Sequence, residues 1–188
     1  MNAQAWRELG AMALALALLG WVVMRHRVRR VPEHHVEVIE RLGRYHRTVS
    51  AGRHVLWPIE SARARLDLRE QTHVTRREPV QTAEDFWLTA RVRFRYRIAD
   101  PVRWTYEVSD PLYAVGQLAM TMLRGELSAI ELSRASHERP AIASRVRDTV
   151  GKDAPGWGIE LIDLDVDEFD EPRIEPAPAA YPGTAEAT

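Results

Sequence analysis

The histidines are the side chains of this sequence best suited to metal chemistry, and four of the seven lie close together, at His34, His35, His46 and His54. A hairpin between His35 and His46 would bring two imidazoles near each other, and imidazole is a common ligand of zinc. Neither an HExxH motif nor an HxH motif with a following acid accompanies them. The sequence therefore favours exposed hairpin histidines, and it predicts no metal ion and no cofactor.

Motifs for covalent or phosphoryl chemistry are missing as well. The sequence has no cysteine, which excludes disulfides, thiolate zinc sites and a cysteine nucleophile. It contains no GxSxG, SxxK or GxxxxGK motif, and scattered serines and aspartates have no specificity of their own. The prediction is a protein that is not an enzyme and has no catalytic residues.

Arginines occupy four alternate positions of one strand-like segment, at Arg91, Arg93, Arg95 and Arg97. Such a row can bind phosphate oxygens, but alternating charges on a strand usually form its solvated face. The whole chain has 26 basic and 27 acidic side chains, a net charge of −1, whereas nucleic-acid-binding domains are usually strongly basic. We expect no nucleic-acid partner.

The near-zero net charge hides a gradient along the chain. Residues 1–65 carry 11 arginines against 5 acids, while residues 159–188 carry 1 arginine against 9 acids. We expect the basic end to lie against a membrane and the acidic end to point away from it.

The segment from Leu9 to Met24 is a candidate membrane anchor, because its sixteen residues carry no charge. As a helix it spans about 24 Å, short of a hydrocarbon core of about 30 Å. Trp6 and Trp21 at its ends, together with the long stems of Arg7 and Arg25, make up the missing length. The sequence predicts a transmembrane helix, and a buried core helix is the alternative.

The flanks of this segment predict its orientation. Four arginines follow it within six residues, whereas Arg7 before it is balanced by Glu8, and no signal-peptide cleavage site is visible. The positive-inside rule then places residues 25–188 in the cytoplasm, beneath a plasma membrane crossed once. Each basic residue near an anionic surface is worth about 1 kcal/mol. The predicted contacts with lipid are Trp6, Trp21, Arg25, Arg27, Arg29 and Arg30.

Strand patterns dominate the first half of the remaining chain. Segments 35–41 and 45–49 are joined through Leu42-Gly43-Arg44, where glycine permits the positive φ of a tight turn, so a hairpin is predicted. Ala62–Leu68 is a further short strand. From Leu88 to Ile98 apolar residues alternate with polar ones over eleven positions, which predicts one half-buried strand.

Helices follow. Asp100-Pro101 and Asp110-Pro111 each pair a capping acid with a proline suited to the first helical position, so each begins a helix. A third helix is predicted over about 133–152, kinked or restarted at Pro140, before a last strand at Ile159–Val166. The apolar spacing of the second helix predicts a buried face of Leu112, Val115, Leu118, Ala119, Met122, Leu123 and Leu127.

The predicted fold class is α+β, with an N-terminal transmembrane helix, antiparallel strands and helices packed on them. Three parts are expected: a membrane anchor with a basic collar at 1–30, a compact domain at 31–168, and a disordered acidic, Pro/Ala-rich tail at 169–188.

The order of motifs along the chain resembles that of the SPFH, or band 7, domain of stomatins, prohibitins and flotillins, with bacterial stomatin-like proteins nearest. The resemblance covers roughly residues 9–168. The motifs that carry it are Glu40-Arg41-Leu42-Gly43-Arg44-Tyr45, then Gly52 before Trp57-Pro58-Ile59, then Asp67-Leu68-Arg69-Glu70-Gln71, and later Trp157-Gly158-Ile159.

This resemblance implies a non-enzymatic membrane scaffold that oligomerises and organises membrane microdomains or membrane-protein complexes. The implied partners are the lipid bilayer with its anionic headgroups, further copies of the chain or SPFH paralogues, and a membrane protease. An accessory or regulatory subunit of a membrane protease, or of a longer SPFH paralogue, is the alternative function.

Two features depart from the family pattern. Members commonly continue into a long coiled-coil helix, which four prolines between Pro172 and Pro182 forbid here. The second departure is Asp85-Phe86-Trp87, where the family usually has a polar residue before its strand. These two aromatic rings either close the core of the domain or dip into the membrane interface.

Overall fold

The computed structural model describes residues 3–25, 28–84 and 86–167, and the chain divides into two compact units, Met1–Arg69 and Glu70–Thr188. Every strand pair in the described residues is antiparallel, and all three long helices are α-helical, so the predicted α+β class is confirmed.

In its described residues the first unit contains one helix and five strands. The elements are α1 (Ala3–Arg25), β1 (Val28–Val31), β2 (His35–Arg41), β3 (Arg44–Val49), β4 (Gly52–Val55) and β5 (Glu60–Asp67). Strand β2 is the centre of a three-stranded sheet, flanked by β3 and β5, while β1 and β4 form a separate two-stranded sheet.

The predicted hairpin is confirmed as β2 and β3. Its turn places Leu42 at φ 52° and Gly43 at φ 77°, the two successive positive values of a type I′ turn, whose twist matches that of the flanking strands. The predicted strand at Ala62–Leu68 is also confirmed, although β5 starts two residues earlier. Strands β1 and β4 were not predicted.

A small apolar core holds the first unit together. Val31, Ile39, Val49 and Leu56 are buried against one another, with Ala62 packed beside them. Val31 lies on β1 and Leu56 directly follows β4, so burial of these two side chains packs the two-stranded sheet against the three-stranded one.

As far as the structure describes it, the second unit contains five strands and three α-helices. The elements are β6 (Gln71–Val74), β7 (Glu78–Gln81), β8 (Trp87–Ala90), β9 (Val92–Ile98), α2 (Pro101–Tyr106), α3 (Pro111–Leu127), α4 (Leu132–Asp153), a 3-10 turn (Ala154–Trp157) and β10 (Ile159–Val166). Strand β9 is the centre of a sheet with β10 and β6 at its edges, and β7 pairs with β8.

The prediction of one strand from Leu88 to Ile98 is wrong, because the segment divides at Arg91. Residues before Arg91 pair with β7, and residues after it pair with β6 and β10. The Arg91 carbonyl accepts the Asp167 N–H at 3.1 Å. Burial alternates through the break, so the side-chain period does not reveal that the hydrogen-bonding partner changes.

Both predicted helix starts are confirmed. The Asp100 side chain accepts the N–H groups of Val102 and Arg103, and Asp110 accepts that of Tyr113, so orphan donors of each first turn are satisfied. The third predicted helix is α4, which continues through Pro140 as one element instead of restarting there.

The buried face of α3 differs in part from the prediction. Met120 is fully buried, whereas Leu112, Leu118 and Met122 are only partly buried. The apolar positions of α3 therefore mark a wider stripe of the helix surface than the face that is buried in the structure.

Gly158 lies between the 3-10 turn and β10 with φ 76°. A β-carbon there would lie 2.3 Å from the Asp100 carbonyl oxygen and 2.7 Å from the Trp104 nitrogen. The Gly158 carbonyl accepts the Ala99 and Asp100 N–H groups, so this glycine joins the start of α2 to the start of β10.

Helix α1 contains the predicted anchor. Among the described residues, no helix combines the length and the mean hydropathy needed to cross a membrane. The predicted tail at 169–188, with its four prolines, lies outside the described residues.

Candidate functional site

The first unit displays a basic pair of strands directly after α1. Arg30 on β1 lies opposite Arg53 on β4, and Arg29 lies opposite His54. Like charges in directly opposed positions repel each other. Arg30 and Arg53 are both exposed, and no ion pair of either appears in the part of the chain that the structure describes. This arrangement suits an external anion, and we call Arg30 and Arg53 the basic strand pair.

The face that carries the basic strand pair is also partly apolar. Val28 and Val55 oppose each other two positions away, so they share a face with Arg30 and Arg53, and both valines are exposed. Exposed valines beside unpaired arginines resemble the composition of surfaces that contact lipid headgroups and the acyl boundary.

The predicted lipid contacts are only partly described by the structure. Trp21 is exposed on α1, and Arg29 and Arg30 are exposed on β1. Trp6 and Arg25 belong to α1, but their side chains, like the whole of Arg27, lie outside the described residues. Arg53, which sequence reasoning missed, joins this set through pairing with Arg30.

An apolar tip closes one end of the three-stranded sheet. It consists of Leu42, Trp57 and Ile59, whose exposed fractions are 79%, 69% and 42%. The Leu42 N–H donates to the Ile59 carbonyl at 3.3 Å, which joins the β2–β3 turn to the loop before β5. Large exposed apolar side chains brought together in this way mark a contact surface.

A buried carboxylate holds the loop of the apolar tip in place. Glu60 Oε2 accepts the Trp57 N–H at 3.0 Å and Arg47 Nη2 at 3.0 Å, and Oε1 lies 3.4 Å from His46 Nε2. Glu60, the first residue of β5, is buried although Trp57 and Ile59 in the loop before it are exposed. The charge of this carboxylate therefore fixes the conformation from which Trp57 projects.

Hydrogen bonds and nearby cations keep Glu60 ionised. The Trp57 N–H is the largest cause that lowers the pKa of Glu60 below its usual value of 4.5, and Arg47 adds to it against the opposing effect of burial. The Glu60 carboxylate, which holds the loop of the apolar tip, is therefore charged at neutral pH.

The arginine row of the second unit is neutralised within the chain. Three of the acids that face it lie on or just after β10, which runs antiparallel to β9. Their presence leaves no free row of cations for phosphate or nucleic acid. The pairs are Arg91 with Asp167, Arg93 with Asp167 at 2.9 Å, Arg95 with Asp163 at 3.5 Å, and Arg97 with Glu160 at 2.7 Å; Glu70, just before β6, is the fourth acid and lies 4.0 Å from Arg95.

The two aromatic residues at the start of β8, Phe86 before it and Trp87 as its first residue, do not close the core. Phe86 and Trp87 are 42% and 40% exposed, so the core alternative for these rings is wrong. Their contact with a membrane interface stays a prediction.

His35 on β2 and His54 on β4 each lie within hydrogen-bond distance of a backbone carbonyl. His35 Nδ1 lies 3.0 Å from the Glu33 carbonyl, and His54 Nε2 lies 2.7 Å from the Ser50 carbonyl. In the described ranges no three His, Cys, Asp or Glu residues lie together as a metal site would need.

The chain is similar in sequence to a known protein family and to individual proteins of it. The model of the "SPFH domain / Band 7 family" matches residues 29–178, which includes nine of the ten strands in full and all of β1 except its first residue. Stomatin-like protein 2, mitochondrial, of Rattus norvegicus is 32% identical over 143 residues, 76% of this chain and 40% of that protein. An uncharacterized protein of Mycobacterium tuberculosis is 30% identical over 158 residues, 84% of this chain and 42% of that protein.

An α+β protein with small antiparallel sheets and an exposed basic and apolar surface is the class that the fold defines. The chain belongs to the SPFH domain / Band 7 family. It spans about two fifths of the length of the curated relatives that it matches.

Proposed function

We propose that this chain is a membrane-associated, non-enzymatic scaffold of the SPFH type, which assembles with copies of itself or with SPFH paralogues and organises membrane-protein complexes or microdomains. The observation that carries the proposal is the family match over residues 29–178, together with relatives named stomatin-like protein. The division into an anchor at 1–30, a domain at 31–168 and a tail at 169–188 is part of the proposal.

The basic strand pair supports contact with anionic lipid. Arg30 and Arg53 oppose each other, and an anionic headgroup between them would remove the repulsion that the fold leaves in place. Arg29, on the same strand, and Arg25 and Arg27, before it in the sequence, extend the same positive charge.

The apolar tip supports a second contact with the bilayer. Leu42, Trp57 and Ile59 expose apolar surface at the end of a sheet, and an indole ring is favoured at the interface between water and lipid. The uncharged run Leu9–Met24 within α1 supports an anchor crossing the plasma membrane once, with residues 25–188 in the cytoplasm.

The absence of native cysteine permits a direct test of the lipid contact. An Ile59→Cys variant of the full chain, labelled with an environment-sensitive dye, is reconstituted into vesicles with or without phosphatidylserine. The dye should shift to the blue and be quenched by brominated lipid. An Arg69→Cys label, beyond the far end of β5 and about 26 Å along the strand, is the control and should stay in water. Equal quenching at both positions, or at neither, contradicts the proposed tip contact.

Native mass spectrometry of the detergent-extracted chain tests assembly. A scaffold that assembles by itself gives oligomers when the chain is expressed alone. A monomer that enters a large complex only with an SPFH paralogue or a membrane protease would instead favour the accessory-subunit function. Alkaline extraction of membranes tests the anchor, since a chain that crosses the bilayer remains in the pellet.

A further inference from the structure

The turn of the β2–β3 hairpin carries a leucine where the backbone does not favour one. Leu42 has φ 52° and is the first central residue of the type I′ turn, a position usually taken by Asn, Asp or Gly. A bulky side chain at positive φ is uncommon, because its β-carbon crowds the neighbouring backbone. Leu42 is also 79% exposed, so it gains little from packing in return. Neither the turn nor the core therefore accounts for a leucine at this position.

Two arginines flank this leucine. Arg41, the last residue of β2, lies directly opposite Arg44, the first residue of β3, so their side chains leave the same face of the sheet with β-carbons about 5 Å apart. Both side chains are exposed, and within the described ranges neither has an ion pair or a hydrogen bond. We call Arg41 and Arg44 the turn arginines. Their mutual repulsion is left in place by the fold, as it would be relieved only by an anion from outside.

The carboxylates nearest the turn arginines are paired with other cations. Glu60 lies opposite Arg41 across β2 and β5, but it is buried and its Oε2 lies 3.0 Å from Arg47 Nη2. Glu40, the residue before Arg41, has its Oε1 3.7 Å from Arg63 Nε. Four arginines against two carboxylates leave two positive charges around the turn, with histidine counted as neutral. The balance of charge therefore favours an anionic ligand.

A phosphate monoester matches the turn arginines in both charge and hydrogen bonding. Each guanidinium presents a planar fork of N–H donors that suits two phosphate oxygens. A phosphate monoester has three non-ester oxygens and a charge of roughly −1.5 to −2 at neutral pH. A phosphodiester has only two such oxygens and a single charge. Two adjacent guanidinium forks therefore find more acceptors and more charge on a monoester.

We propose that the β2–β3 turn binds a lipid whose headgroup is a phosphate monoester. Leu42 enters the boundary between headgroups and acyl chains, and the turn arginines together bind the phosphate of one lipid. A lipid supplies both an anion and an apolar layer, which the arginines and the leucine need together, whereas a soluble phosphate ester supplies only the anion. The inference rests on the proposed contact of the apolar tip with the bilayer and adds the headgroup that this contact selects.

The test measures the affinity of the full chain for lipids in micelles of an uncharged detergent, by titration calorimetry. Phosphatidic acid supplies the monoester, and phosphatidylglycerol with the same acyl chains supplies the diester. Phosphatidic acid should bind at least about tenfold more tightly. Glycerol 3-phosphate, a soluble monoester, should not displace phosphatidic acid even in excess, because it offers no apolar layer to Leu42.

Substitution of the turn arginines should remove the preference between the two lipids. In Arg41→Gln/Arg44→Gln the affinity for phosphatidic acid should fall until it lies within about twofold of that for phosphatidylglycerol. Arg93→Gln/Arg95→Gln removes the same number of charges from the arginine row that acids neutralise, and it should keep the preference. A preference that survives in the first double variant, and disappears in Arg30→Gln/Arg53→Gln, would assign the monoester to the basic strand pair and overturn the proposal.

Leu42→Asn separates lipid binding from the stability of the turn. Asparagine suits the positive φ of this position, so the variant should unfold at the same denaturant concentration as the unaltered chain or at a higher one. It lacks the apolar side chain, so its affinity for both lipids should fall about tenfold, with the preference for phosphatidic acid kept. A leucine that served only the fold would give the opposite result, lower stability with unchanged lipid affinity.

The dye label at position 59 distinguishes failure of this inference from failure of the proposed function. Quenching of the Ile59→Cys label, with equal affinities for the two lipids, would overturn the headgroup site and leave the contact of the apolar tip with the bilayer. An unquenched label in vesicles of every composition would overturn the tip contact and the insertion of Leu42 with it. Displacement of phosphatidic acid by glycerol 3-phosphate would assign the turn arginines to a soluble phosphate ester, and the lipid proposal would be wrong.

Discussion

The β1–β4 sheet of the first unit and the β9–β10 pair of the second differ in what lies opposite their arginines. In the second unit the row from Arg91 to Arg97 is opposed by acids of β10 and Asp167, and its charge is satisfied within the fold. In the first unit, Arg30 and Arg53 are directly opposed to each other. The number of arginines in a segment therefore says little about binding, because the strand that lies beside them decides whether their charge is available.

The cores of the two units also differ in how much charge they bury. Among the described residues, buried carboxylates occur only in the first unit, at Glu37 and Glu60, while Thr82 is the buried polar residue of the second. Arg65 Nε and Nη2 lie 2.8 Å and 2.6 Å from Glu37 Oε1. Buried charge makes the first unit depend on individual pairs in a way that the apolar core of the second does not.

Removing the cation of the Glu37 pair should have the largest effect on stability. Arg65→Met leaves a buried carboxylate without a counter-ion, so the unfolding free energy of the first unit should fall by about 3 kcal/mol. Hydrogen exchange of the β2 amides measures this change. The double variant Glu37→Leu/Arg65→Met removes both charges and should recover most of the loss, whereas an equally unstable double variant would mean that packing of Arg65 is the cause.

Neutralising the basic strand pair should have the next largest effect. Arg30→Gln/Arg53→Gln removes two cations worth about 1 kcal/mol each at an anionic surface, so affinity for phosphatidylserine in mixed micelles should fall roughly thirtyfold. Titration calorimetry provides the measurement. Arg93→Gln/Arg95→Gln removes the same charge from the neutralised row and should change affinity by less than about twofold. A similar fall in lipid affinity in both double variants would show that the basic strand pair is no more available to lipid than the arginine row.

Acid should unfold the first unit before the second. The Trp57 N–H and Arg47 lower the pKa of Glu60, and hydrogen bonds from Arg69 hold the pKa of Asp67 well below its ordinary value. A lowered pKa stabilises the fold when the group is ionised. This stability is complete above the ordinary pKa of the unfolded chain, near pH 4 to 4.5, and is lost as the pH falls through the lower folded values.

Amide NMR signals of each unit, followed from about pH 6 to about pH 2.5, would test this order. Signals of β3 and β5 should broaden or shift before those of β9. Glu60→Gln should be less stable at neutral pH and should lose less stability on acidification than the unaltered chain. Simultaneous loss of both units at one pH would show that Glu60 and Asp67 do not determine the acid sensitivity.

The smallest effect is expected in the arginine row itself. Arg97 and Glu160 are each about half exposed, so Arg97→Gln should cost only about 0.5 kcal/mol, as exposed ion pairs do. Chemical denaturation of the second unit, repeated in high salt, measures the loss. A cost several times larger that persists in salt would mean that the row holds β10 in place by more than surface charge.

Local signals made part of this fold predictable. Leu42-Gly43 marked the β2–β3 turn, and the Asp-Pro pairs at 100–101 and 110–111 marked two helix starts, because each is a short-range pattern with a direct physical cause. Val28–Val31 and Gly52–Val55 were missed, since four-residue strands rich in arginine have no clear period and depend on each other for pairing.

The candidate surfaces were predictable to a smaller extent. Arg29 and Arg30 were found from their position after the uncharged run, but Arg53 became visible only when β4 was placed beside β1. Leu42 and Trp57 belong to the family motifs, and neither residue indicates in sequence that its side chain remains exposed. The position of Arg53 and the exposure of Leu42 and Trp57 both depend on pairing between segments that are distant in sequence. A single segment carries no information about that pairing.

The separation of β9 and β10 along the chain has a consequence for synthesis on the ribosome. Ile98 pairs with Ile159, about sixty positions later. The ribosome adds roughly 5 to 20 residues per second, so the acids that neutralise the arginine row are synthesised about 3 to 12 seconds after it. During that interval the nascent chain displays a cationic strand that the finished protein does not have, so the order of translation should favour chaperones or ribosomal surfaces that shield positive charge.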